Sequence, residues 1–278
     1  MRCDTSVSLY VVYHDAAPIT PAGCLIPICS TRTDGQNIAS KSGYCELRAQ
    51  YWVWKNAAVS AEMVGFFHFR RYLSTHGLIR LPVKRRPLPY RIVQWPSPSD
   101  YEQQTIAAIS SELDVIAPIW EYTGIPVYQR YANGSDQRGS DLECIRSIIL
   151  EIYPQFAQAM DTYLTGCGEY YGNMFIMRRS IFLDYCGWLF EILNRFDAAV
   201  TDAPSHTQGY LGERLFGIYF TWLQQSGHVR CGELPRLLFS GYDDDTHHFG
   251  RKRLVNFLLP PGSRRRAAAA RCVSTLGG

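Results

Sequence analysis

The chain has 278 residues, 46% of them apolar and 19% charged, which suits a domain with a sizeable core and excludes a disordered or fibrous polypeptide. Lys and Arg number 28 against 25 Asp and Glu, so a net charge of +3 leaves no electrostatic footprint for nucleic acid, and no aromatic–basic repeat supplies one. Nine cysteines, odd in number and without a Cys-x-x-Cys, form neither a disulfide framework nor a zinc site and point to a reducing compartment. The amino terminus shows no signal-peptide pattern, and no apolar run approaches the roughly 20 residues of a membrane span. A cytoplasmic protein is the expectation.

In chain order, Ser6–Tyr13 is a β-branched and aromatic run, the first expected strand, ending at His14. Residues 15–33 carry three prolines and read as loop with one short strand near Leu25. Asp34-Gly-Gln-Asn37 is turn chemistry whose polar ends also face a ligand readily. Tyr44–Asn56 is a helix with Leu47, Tyr51 and Trp54 on one face and Glu46 in its first turn, as dipole partner or as ligand contact. Met63–Phe67 is an apolar strand of the kind buried on both faces, and it ends in His68, Arg70 and Arg71.

Residues 78–98 hold Arg80, Lys84, Arg85, Arg86 and Arg91 among five prolines and are expected to be irregular: a lid, a patch for anionic lipid, or a solvated loop. A helix over Ser99–Leu113 and a buried strand over Asp114–Pro118 follow. Glu121–Ser140, rich in Tyr, Gly and Asn, reads as an aromatic loop or a disordered insert. Helices are expected at Asp141–Tyr153, from Pro154 to Leu164, from a capping Ser180 to Phe196, and from Gln208 to Gln224. Strands are expected at Asn173–Met177 and Leu237–Phe239. Alternation of strand and helix predicts one α/β domain, residues 1–262, with a mainly parallel central sheet. The basic stretch 263–278 has no core face and is expected to be disordered.

The chemistry concentrates where strands end. In open α/β sheets ligands sit outside the carboxyl ends of the strands, and two guanidiniums with an imidazole there suit phosphate or carboxylate. An Arg pair that only holds a loop through salt bridges is the plain alternative. Asp243-Asp-Asp245-Thr-His247-His248 forms a polar cluster late in the chain.

The ordered set Asn37, Tyr44-Cys-Glu-Leu-x-Ala-x-Tyr-Trp-x-Trp-Lys-Asn56, Gly65-x-x-His-x-Arg-Arg-Tyr72, Asn173-Met-Phe-Ile-Met177, Tyr185-Cys-x-Trp-Leu-Phe190 and Gly209-Tyr-Leu-Gly-Glu-Arg-Leu215 resembles a glycosyltransferase-like family. That family is long catalogued as a domain of unknown function and is common in capsular and exopolysaccharide gene clusters. The resemblance spans roughly Val7 to Gln224 and implies a GT-A-like, Rossmann-like fold. It also implies a hexosyltransferase that moves a hexose, galactofuranose in some relatives, from a nucleotide-diphosphate sugar to a glycan or lipid-linked oligosaccharide.

On that reading His14, Asp34, Asn37, His68, Arg70, Arg71 and Asn173 contact the sugar nucleotide. The cations neutralise charge that builds on the departing diphosphate. Glu213 is the expected base for the acceptor hydroxyl, with Glu169 as second choice; the alternative for Glu213 is a first-turn acid that complements the helix dipole. GT-A enzymes commonly hold Mn or Mg on an Asp-x-Asp, but His-x-Arg-Arg stands at that place here, and Asp243–Asp245 comes too late. Either guanidiniums replace the metal or it is held elsewhere. Membrane contact at the inner face would use the Arg80–Arg91 segment or the basic tail. The competing reading is a non-catalytic nucleotide-sugar or carbohydrate-binding module.

Overall fold

The computed structural model describes residues 6–14, 23–57, 61–82, 89–93 and 98–239, with isolated positions 258, 259, 265 and 269. Its centre is a ten-stranded sheet of β1 (Val7–Tyr13), β2 (Leu25–Cys29), β3 (Met63–His68), β4 (Arg71–Leu73), β5 (Ile79–Arg80), β6 (Tyr90–Val93), β7 (Val115–Pro118), β10 (Phe175–Arg178), β11 (Cys231–Leu234) and β12 (Arg236–Phe239). A separate two-stranded ribbon pairs β8 (Glu121–Tyr122) with β9 (Gly168–Glu169). The seven helices among the described residues are α1 (Leu47–Asn56), α2 (Gln103–Ser110), α3 (Val127–Ala132), α4 (Gly139–Ile152), α5 (Ala157–Thr165), α6 (Arg179–Ala199) and α7 (Thr207–Ser226).

The long ladders are parallel: β1 lies between β2 and β3, and β7 runs beside β11. β10 enters antiparallel between β3 and β7, with Phe175 level with Phe66 and Ile176 level with both Gly65 and Ile116. The result is the expected α/β domain with a mostly parallel sheet.

Strand periodicity divides the core. Tyr10, Val12, Val64, Phe66, Val115, Ala117, Phe175 and Met177 face a large aromatic core shared with α1 and α3–α7. Their neighbours Val7, Leu9, Val11, Met63, Phe67, Ile116 and Ile176 face a smaller one with α2, Tyr72 and Tyr101. This two-sided burial explains why these strands read as continuous apolar runs. Each fully buried aliphatic or Phe side chain contributes about 1.5–3 kcal/mol.

Several expectations are corrected. Glu121–Ser140 is neither loop nor disordered: β8 opens it, and α3 buries Val127 and Tyr131 one turn apart. The described part of the basic segment contains β5 and β6, whereas Lys84, Arg85 and Arg86 lie outside the described residues. Ser180 does not cap α6, which starts at Arg179 directly from β10; the Arg179 N–H bonds the Glu62 carbonyl instead. A 3-10 turn over Ser42–Tyr44 precedes α1, so Glu46 is that helix's N-cap residue. No helix among the described residues is long and apolar enough to cross a membrane.

Candidate active site

Topology gathers the polar residues. Because β1, β2, β3, β7 and β11 run parallel, their carboxyl ends share one edge, where antiparallel β10 begins. Extending the β3–β10 register by two residues sets Asn173 level with His68. His14 follows β1, Ser30 follows β2, Glu121 follows β7 by three residues, and Arg236 follows β11 by two.

One half of the edge is cationic. The chain turns sharply after β3, so that His68 pairs with Arg71 on β4 and Phe69-Arg70 forms the tip. Arg70 lies over the Phe69 ring at 5.0 Å, and its buried Nε has no hydrogen-bond partner. Such an orphaned donor costs free energy unless a ligand meets it. His68 departs from its sequence reading as a cation. Burial, together with Arg71, Arg70 and His14, pushes its imidazole down to about 3, so it is neutral at physiological pH. Its Nδ1 accepts from the Arg70 N–H at 3.4 Å, which leaves Nε2–H as a donor. His14 bonds Ser30 Oγ at 2.6 Å, and Arg48 of α1 donates to the same hydroxyl at 3.5 Å.

The other half is acidic and surrounds the loop before β10. Gly172 and Asn173 both adopt positive φ, 87° and 48°, a pair of left-handed residues that suits Gly and Asn. Glu213 pins this loop: Oε1 accepts from the Gly172 N–H at 2.5 Å, and Oε2 accepts from Arg214 Nη1 at 2.6 Å. Its side chain is 14% exposed. Burial raises its carboxyl to about 7; Glu46 and Glu169 add to the rise, while Arg214 and the Gly172 N–H oppose it. α7 starts at Thr207, so Glu213 lies in its second turn, beyond the reach of the first-turn dipole account.

Glu169 is wholly buried and ion-paired with Arg214 Nη2 at 2.5 Å and with Arg130 Nε at 3.2 Å; the Tyr171 hydroxyl also donates to it. No part of its side chain faces solvent, so the geometry makes it the counter-ion of Arg214. Arg214 and Arg236 flank the Tyr171 ring at 5.8 and 5.7 Å, and Arg236 pairs with Glu121. Asn173, 2% exposed, gives its amide to Glu46 Oε1 at 2.8 Å and to the Gly209 carbonyl at 3.1 Å.

Two expected nucleotide contacts are otherwise engaged. Asp34 is exposed and bound to Arg32, which stacks at 3.8 Å on Trp52. Asn37 spends its amide on the Thr33 and Gly35 carbonyls and its oxygen on the Ala39 N–H, so it shapes its own turn. Sequence reasoning missed Arg214, Arg130, Tyr171, Glu121 and Arg236. Arg214 alone left a signal: a charge beside the apolar stripe Leu211–Leu215–Ile218, where a cation must be paired. The others meet across the ribbon β8–β9, which no short-range pattern announces.

Among the described residues no three His, Cys, Asp or Glu converge as a metal site requires. The guanidiniums of the cationic half repel a divalent cation, and the Glu169 and Glu213 carboxylates of the acidic half are already ion-paired with Arg214. Asp243–Asp245 and His247–His248 lie outside the described residues.

A family model described as Domain of unknown function (DUF4422) matches residues 22–225. The solved apo structure of WbbM, a bifunctional glycosyltransferase, superposes with a TM-score of 0.75 at 28% identity over 85% of this chain. The chain spans 46% of that protein's length. No curated protein matches.

Proposed function

The chain belongs to the DUF4422 family, and from that premise we propose that it is a glycosyltransferase acting on a nucleoside-diphosphate sugar. One observation carries the reading: a single sheet edge sets Arg70, Arg71 and the His68 donor level with a loop pinned by a carboxylate raised to about 7. The likeness to the WbbM glycosyltransferase supports it.

In the proposed reaction the diphosphate lies against Arg70, Arg71 and His68 Nε2–H. The bond between the anomeric carbon and the phosphate oxygen breaks as the acceptor oxygen bonds to that carbon. The guanidiniums stabilise the charge left on the nucleoside diphosphate. Glu213 takes the proton of the acceptor hydroxyl, and a carboxyl near 7 is matched to that exchange at neutral pH. His14, beside these groups, completes the donor side, while Asn173, buried and bonded to Glu46 and the Gly209 carbonyl, holds Glu46 in place instead of touching the donor. The transferred group is a hexose, galactofuranose among the candidates, and the acceptor is a glycan or lipid-linked oligosaccharide of a surface polysaccharide. Charged segments at Arg80–Arg91 and 263–278 would bring such an acceptor's membrane within reach of a protein at its inner face.

The test is slow hydrolysis or transfer across a panel of nucleoside-diphosphate hexoses, with and without manganese. Release of nucleoside diphosphate that is lost in the Arg70→Ala/Arg71→Ala variant supports the reading. Saturable binding with no release by any sugar favours a non-catalytic nucleotide-sugar-binding module. That second reading has its own observation, since both Glu213 oxygens are already engaged by protein donors.

A further inference from the structure

Glu46 stands between the two halves of the edge and belongs to neither network fully. Its Oε1 is held by Asn173 Nδ2 at 2.8 Å, whereas no protein group among the described residues bonds or pairs with its Oε2. The side chain is half-buried and near enough to Glu213 for the two charges to repel. No cation among the described residues pairs with it. A carboxylate kept partly out of water, next to another, without a cation, is unfavourable unless something donates to it.

The structure nevertheless holds this carboxylate firmly. Asn173 is locked in its left-handed conformation, bonded through Nδ2 to both Glu46 and the Gly209 carbonyl. Its Oδ1 is buried without a hydrogen bond and faces Gly212, where an added Cβ would lie 3.2 Å away. Rotating the amide by half a turn would set that oxygen against a carboxylate and a carbonyl, so the donor must point at Glu46. A Cβ on Gly209 would meet Cys45 Sγ at 3.0 Å, which keeps the helix close to the chain entering α1. Two residues further along, Arg48 reaches Ser30 and thereby His14. Glu46 is thus placed between the cationic hairpin and Glu213.

From this arrangement, and resting on the transferase reading above, we propose that Glu46 is a substrate-binding, specificity-determining residue whose Oε2 accepts a hydrogen bond from a hydroxyl of a sugar ring. Such a hydroxyl donates without bringing charge and is what a sugar nucleotide offers beyond its diphosphate. The ring is that of the donor hexose or that of the acceptor, and the experiment separates the two.

The variant is Glu46→Gln, whose Oε1 still accepts from Asn173 while Nε2 replaces the acceptor with a donor. Probes are uridine, guanosine, thymidine and adenosine diphosphates and their glucose and galactose conjugates, measured by thermal shift and calorimetry, with acceptor KM measured in the transfer assay. With melting unchanged, affinity for the best sugar nucleotide should fall at least tenfold while the bare diphosphate binds as before; this assigns the donor ring. Unchanged donor affinity with acceptor KM raised at least tenfold assigns the acceptor ring. Wild-type affinity and KM in the variant overturn the proposal and leave Glu46 as a structural partner of Asn173. A wild-type protein that binds no nucleoside diphosphate or conjugate instead refutes the transferase reading, and this assignment with it.

Discussion

Replacing Glu213 by Gln tests the acidic half of the site through both stability and turnover. The native carboxyl holds its proton up to about 7, whereas the unfolded chain releases it near 4.5. Between those values the folded protein binds more protons, so stability is greatest below 4.5 and is lost as pH rises through 7. At 1.36 kcal/mol per pH unit the loss is about 3 kcal/mol. Gln is neutral throughout and nearly isosteric, and it still accepts from the Gly172 N–H. The stability difference, wild type minus variant, should therefore decline by ~3 kcal/mol from about pH 4 to about pH 8. Denaturant titrations at steps across that range measure it, and taking the difference removes every other titrating group. In the same variant turnover should drop by roughly a hundredfold or more, the usual worth of a positioned base. Parallel stability curves would show that Glu213 titrates as an ordinary surface acid, and normal turnover would remove it from the chemistry.

Other changes have equally definite expectations. Arg70→Ala with Arg71→Ala should weaken sugar-nucleotide binding by ~2 kcal/mol or more with the fold intact, and unchanged calorimetric affinity would make the pair structural. His68→Gln should show the opposite pH trend to Glu213→Gln. An imidazole held neutral down to about 3 makes the wild type lose up to about 1.4 kcal/mol per pH unit relative to the variant as pH falls below 6.5. A flat difference in denaturation midpoints would refute that burial. Glu169→Gln removes one of the two carboxylates paired with buried Arg214, Glu213 remaining, and should cost about 1–3 kcal/mol in chemical denaturation; an unchanged midpoint would mean the pair is solvated. Gly217→Ala sets a methyl 2.0 Å from the Tyr163 ring and should lower stability by about 1–3 kcal/mol or more, whereas an unshifted melting temperature would contradict that packing.

Much of the architecture was legible because local signals were strong. The runs around Leu9, Val64 and Phe175 announced two-sided burial, and helical stripes located α1, α4, α6 and α7. Glu213 was singled out through the glycines around it, and the hairpin arginines through their place after an apolar strand; the structure sets both at one sheet edge. What failed depended on distant partners. No local pattern tells that His68 is neutral, since that follows from burial beside two guanidiniums and His14. Asp34 and Asn37 looked like ligand groups because turn-forming and ligand-binding side chains share the same chemistry. The Glu169–Arg214–Arg130 cluster was illegible because three separate segments contribute to it.

The position of β10 also bears on how the protein comes to be made. During synthesis β1, β2 and β3 can pair as they emerge, but the flank of β3 destined for β10 waits until α2 through α5 have been translated. Over that interval a growing chain carries an apolar strand with an open side, a surface that pairs readily with other nascent chains. The loop that brings Gly172 and Asn173 beside His68 arrives with the strand that closes it. The edge is therefore completed late in synthesis. Chains truncated before Phe175 would expose the sticky flank and lack half of the edge, which makes co-translational chaperone capture at that stage the expected fate of a stalled product.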